Sequence, residues 1–158
     1  MNSPSYDKGF SIIEILIAVM IIGILSVLSM PALQRARDNS LVASFANDIR
    51  QFSSAVNTYA MEQGQYPPDA APGKANETLK TYLPTGFMDK VTPIGGLWDI
   101  DIASGAGYAA AVGVGNLSSP DIELIVRIDF AIDDGNIVTG DFRWLPFGGG
   151  RPYLIIEE

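Results

Sequence analysis

The 158-residue sequence carries ten Lys and Arg against eighteen Asp and Glu, a net charge of −8, with 47% apolar residues and neither cysteine nor histidine. Disulfides, thiolate and imidazole metal sites, thiol nucleophiles and Ser/His triads are thereby excluded. Only carboxylates, hydroxyls, Lys and Tyr remain as reactive side chains, which argues against an enzyme, and the scattered cations on an acidic chain argue against a nucleic-acid partner.

The first nine residues are short and hydrophilic and end in Lys8-Gly9. An uncharged run then fills 15–33. It approaches the roughly 20 residues that a helix needs to cross a bilayer core of about 30 Å, so 10–34 reads as a membrane-competent helix. The run is longer than the apolar region of about 7–15 residues in a secretory signal, and the residues that follow it, Pro31 to Arg37, offer no small-x-small cleavage site. Lys8 and the amino terminus on one side and Arg35 and Arg37 on the other leave the orientation undecided, with a slight bias toward the C-terminal side inside.

Over 35–64 the pattern becomes one-sided. Val42, Phe45, Ile49, Phe52, Val56 and Tyr59 recur at spacings of three and four, the apolar stripe of an amphipathic helix. Gly64 suits the left-handed residue just past a helix end, and Pro67-Pro68 prevent continuation. Pro31 costs one backbone hydrogen bond and suggests a bend, while Asp38-Asn39-Ser40 are weak helix formers without being breakers. One long bent helix is therefore expected.

The remainder, 65–158, reads as a single globular region of loop and sheet with no internal repeat. Its first part, 66–107, is rich in Pro, Gly, Asp and Thr and reads as a long ordered loop containing a short helix near 76–82. Strands are expected at 108–114, 122–132, 137–145 and 153–156. In 122–132, Ile122, Leu124, Val126, Ile128, Phe130 and Ile132 alternate with other residues, the period-two pattern of a strand with one buried face. Asp133-Asp134-Gly135-Asn136 then offers hairpin-turn chemistry. The expected fold class is α+β, a long N-terminal helix laid against a C-terminal antiparallel β-meander.

Lys8-Gly9-Phe10-Ser11-Ile12-Ile13-Glu14, followed at once by the apolar run, resembles the prepilin cleavage and methylation motif of type IV pilins and type II secretion pseudopilins. It joins a hydrophilic leader ending in Gly, a Phe to become the new N-terminus, a hydroxyl residue and a Glu at the fifth position of the processed chain. Gly23 and Pro31 also fall where family members often have them. The motif covers only about the first third of the chain, although the long helix, the Tyr66-Pro67 loop and the β-rich end match the family's layout too.

The resemblance implies that a prepilin peptidase removes residues 1–9, cutting between Gly9 and Phe10, and methylates the amine of Phe10. It assigns Glu14 to assembly and places the C-terminal domain outside the bacterial inner membrane, in which the helix sits until assembly. The partners it implies are identical or related subunits, the peptidase, and an inner-membrane assembly platform with its ATPase, giving a periplasmic or extracellular filament. The lack of a C-terminal cysteine pair and the Tyr-Pro loop favour a type II secretion pseudopilin. A true type IV pilin for adhesion, motility or DNA uptake is the alternative, and a single-span anchored binding domain that never assembles is the second.

No catalytic residue and no resident cofactor are expected. Calcium is the one candidate ligand, because the major pseudopilins that this chain resembles often bind it in a C-terminal loop. Asp99 with Asp101, or Asp133 and Asp134 with Asp129 and Asp141, could supply hard oxygen ligands. Such Asp-Gly clusters are also ordinary turn residues, and no EF-hand spacing is present.

Overall fold

A computed structural model describes residues 10–102, 107–145 and 150–157. Helix α1 (Ile12–Gln63) is 52 residues long and continues both through Pro31 and through 38–40. Within its apolar part, the hydroxyls of Ser26 and Ser29 donate to the carbonyls of Ile22 and Leu25 at 2.8 and 2.7 Å, so neither serine needs an outside partner. The helix stops as expected: Gly64 takes φ +72°, and its N–H bonds the Ala60 carbonyl at 2.9 Å.

Two compact units meet in sequence between Asp38 and Asn39, so α1 contributes to both. In the first, every described residue from 10 to 34 is exposed. In the second, the expected stripe is the seam of the core. Phe45, Ile49, Phe52 and Val56 are fully buried, Tyr59 nearly so, and Val42 packs at the edge.

The seam meets Trp98, whose ring stacks on Phe45 at 5.5 Å and on Phe87 at 5.2 Å and takes Phe52 edge-on at 5.9 Å. Offset and edge contacts of this kind add about 0.5–1.5 kcal/mol each beyond the buried area. Helix α2 (Glu77–Thr81) lies within the short helix expected at 76–82. The Asn76 side chain caps it by accepting from the Leu79 N–H, and its amide donates to the Tyr59 hydroxyl at 3.0 Å, which ties α2 to α1.

Four strands, β1 (Leu97–Asp101), β2 (Ala110–Gly115), β3 (Phe142–Leu145) and β4 (Arg151–Glu157), form one antiparallel sheet in the order β1-β2-β4-β3. The α+β layout is the one expected, but the connections are not those of a plain meander. The chain leaves β2 into a helix, so β4 takes the place beside β2 and β3 pairs outside it. Strand β1 falls inside the stretch expected to be loop, and the expected strand 137–145 is extended only from Phe142.

The largest correction concerns 122–132, which is helix α3 (Ile122–Ile132) and not a strand. Asp121 caps it by accepting from the Leu124 N–H at 3.2 Å, immediately after Pro120. The alternating residues divide into two interleaved sets at spacing four. Leu124, Ile128 and Ile132 face the core, while Ile122, Val126 and Phe130 are exposed. Ile125, which breaks the alternation, is 1% exposed. With α3 in place, Asp133 to Asn136 follow a helix end and do not turn a hairpin.

Candidate functional sites

The first site is the N-terminal segment. Phe10 and Ser11 precede the helix, and the Ser11 carbonyl accepts the N–H groups of Glu14 and Ile15 at 3.0 and 3.3 Å, opening the first turn. Glu14 lies in that turn, exposed, where the helix dipole favours an anion. Gly9 lies outside the described residues. Sixteen large apolar side chains from Phe10 to Leu33 are each more than half exposed. At about 1.5–3 kcal/mol per side chain buried, this surface represents tens of kcal/mol of unfavourable hydration until something apolar covers it. One 18-residue window of α1 has mean hydropathy 2.8, so by length and composition the helix can cross a membrane.

The six acidic candidates separate into two places. Asp99 and Asp101 lie on β1, bordering a cleft of about 240 Å³ with Asp69, Arg151 and Tyr153. Asp99 is committed: the Tyr153 hydroxyl donates to its Oδ2 at 2.6 Å, and the Arg151 guanidinium lies at 3.4 Å. Burial raises its carboxyl from 3.8 to about 6, against the opposing pull of Tyr153 and Arg151. Asp101 accepts from the Tyr108 hydroxyl at 2.9 Å. These are structural pairs, and Tyr108, Arg151 and Tyr153 were not singled out from sequence because 52 and 54 residues separate Asp99 from the last two.

Asp129, Asp133 and Asp134 do come together, at the end of α3, with one carboxylate oxygen from each lying within 4.8 Å of the others. Asp133 accepts from the Asp141 N–H, and a side chain at Gly140 (φ +78°) would collide with the Asp133 carboxylate. Asp134 accepts from the Asn136 N–H and the Thr139 hydroxyl, both at 2.8 Å, and these bonds hold its carboxyl below the usual range. Asp141 thus supports the cluster through its backbone.

Comparison with known proteins agrees with this geometry. Residues 4–30 match the prokaryotic N-terminal methylation motif. Type II secretion system core protein G of Pseudomonas aeruginosa is 34% identical over 61 residues, covering 39% of this chain and 43% of that protein. The core protein G of Pectobacterium carotovorum is 29% identical over 78 residues, covering 49% and 50%. The chain therefore spans half or less of the length of these relatives. Among solved structures, the major type IV pilin PilA1 of Clostridium difficile aligns with TM-score 0.54 over 77% of this chain and 97% of that one, at 18% identity. The chain thus has the fold of that type IV pilin and carries an N-terminal methylation motif at its head.

Proposed function

We propose that this chain is a structural subunit of a pilus-like filament, and that its finer role is that of a type II secretion pseudopilin supporting protein export. The observation that carries this reading is the wholly exposed apolar stretch 10–34, which includes the start of helix α1 and overlaps a methylation motif over 4–30. A lipid bilayer covers such a helix before assembly, and the helices of neighbouring subunits cover it afterwards. The relatives named core protein G support the export role, while the fuller alignment with a pilin favours a surface type IV pilus as the second reading.

In this scheme a prepilin peptidase cuts after Gly9 and methylates the Phe10 amine, which stays cationic. A carboxylate inside an apolar helix array costs about 2.5–3.5 kcal/mol by insertion scales unless it finds a partner. The Glu14 of an incorporated subunit pairs with the amine of the next arrival, which rewards the correct axial register. The assembly platform and its ATPase lift each subunit from the inner membrane, with the sheet domain outside the cytoplasm.

Intact mass of the mature protein tests the processing step: the expected mass begins at Phe10 with one added methyl group, and Gly9→Val is expected to abolish it. Glu14→Ala is expected to leave insertion and cleavage intact and to reduce filament formation and export sharply. An unprocessed N-terminus in cells containing the peptidase, or wild-type assembly by Glu14→Ala, would overturn the scheme. Imaging a short periplasmic fibre or a long surface fibre decides between the two roles.

A further inference from the structure

Helix α3 has a face that its own fold leaves uncovered. Ile122, Val126 and Phe130 recur at a spacing of four, so they form one ridge, and they are 45%, 36% and 77% exposed. Val126 and Phe130 border a groove of about 430 Å³ whose wall on α1 is Asn39 and Val42. Hydrogen bonds tie the two helices together beside it: Arg127 of α3 donates to the Asn39 side chain at 2.7 Å, and Arg50 of α1 donates to the Ala131 carbonyl at 2.6 Å. The ridge is therefore held in place before any partner arrives, which lowers the ordering cost of binding.

The charges around the ridge select its partner. Asp121 and Glu123 are exposed where α3 begins, and Asp133 and Asp134 are exposed just beyond its end, so an apolar surface is acidic at both ends. A net charge of −8 makes two copies repel unless cations of one meet acids of the other. Helix α1 carries a segment of the matching kind: Met30 and Leu33 are 66% and 72% exposed and lead into the exposed Arg35 and Arg37. Leu33 and Arg37, four apart, share one face of the helix. An anionic lipid surface fits less well, because it attracts basic segments and the ends of α3 are acidic.

We infer that this ridge and groove dock a second copy of the chain, which lays segment 30–37 of its α1 across Ile122, Val126 and Phe130 and sets Arg35 and Arg37 against the acids at an end of α3. The inference rests on the filament reading above and names a contact within it: α3 of one subunit covers the end of a neighbour's apolar helix. Val42 follows Gln34 by about two turns of α1, so along the chain the groove continues the surface that assembly has to cover.

The chain has no cysteine, so thiols can be placed in it without background. The test co-expresses two differently tagged full-length copies, Leu33→Cys and Phe130→Cys, in cells that carry the assembly machinery, and oxidises them mildly. Mixed disulfide dimers are expected at least about tenfold above those of Leu33→Cys paired with Met61→Cys, a site that is 85% exposed near the far end of α1. Arg35→Glu/Arg37→Glu is expected to be inserted and processed but to lose the mixed dimer. Phe130→Asp is expected to melt like wild type and to lower filament yield at least about tenfold. Equal mixed dimers at Phe130 and Met61, or wild-type filament yield from Phe130→Asp, would overturn the docking surface and leave the filament reading standing. A Phe130→Cys thiol shielded from water-soluble reagent in membranes but never cross-linked would assign the ridge to lipid and overturn it too. A chain that forms no filaments in those cells would overturn both readings.

Discussion

Phe52 is fully buried between Phe87 at 5.6 Å and Trp98 at 5.9 Å, so its truncation leaves a cavity that rigid rings cannot refill. Phe52→Ala is expected to cost about 3–5 kcal/mol, read from denaturant unfolding, and an unchanged midpoint would show that the site collapses or is not the seam. This residue was legible in sequence because helical periodicity marks a buried stripe directly. Asp99 was legible only as a possible ligand, since nothing local announces Tyr153 or Arg151. Its folded pKa, raised from 3.8 to about 6 chiefly by burial and further by Asp101 and Asp69, means that the folded state holds the proton more tightly than the unfolded one. Its stabilising contribution is complete below about pH 4 and is lost as pH rises through about 6. Unfolding free energy is therefore expected to fall more steeply with pH across that window in wild type than in Asp99→Asn, which still accepts from Tyr153. Parallel slopes would contradict the shift.

At the scale of elements, the reading of α1 and α2 succeeded and that of α3 failed for a definite reason. Every spacing of four is also a multiple of two, so Ile122, Leu124, Val126, Ile128, Phe130 and Ile132 satisfy a strand pattern while lying on two faces of a helix. Ile125 and the Pro120-Asp121 start were the discriminating signals, and both were present in the sequence. The two geometries predict different mutational patterns. Ile125→Ala is expected to cost about 2–5 kcal/mol and Phe130→Ala less than about 0.5 kcal/mol in thermal or denaturant melts; the reverse order would indicate a strand with Phe130 inside. Strand β1 was missed because its two aspartates and the adjacent Gly95-Gly96 turn give it the composition of a loop. The Gly113 and Gly115 positions of β2 became intelligible only in three dimensions, where a side chain would strike Tyr153 and Pro72.

For the whole molecule, one chain serves two solvents. Its first unit presents apolar side chains that water does not tolerate, while its second buries a continuous core beneath a sheet. That division, and the methylation motif at its head, were legible in the first third of the sequence because apolar patterning and a short motif are both local. The grouping of Asp129, Asp133 and Asp134 was legible as well, whereas the part of Asp141, which joins them only through its backbone N–H, depends on where α3 ends. The aromatic stack has a further, practical consequence. Of the two tryptophans, Trp98 is 2% exposed between Phe45 and Phe87, whereas Trp144 on β3 is half-buried. Trp98 touches α1, the segment before β1, and the core at once, so its ultraviolet emission is an intrinsic optical gauge. Emission at short wavelength reports that helix and sheet remain joined, and a red shift reports their separation, with no dye attached to a chain that has no thiol to carry one.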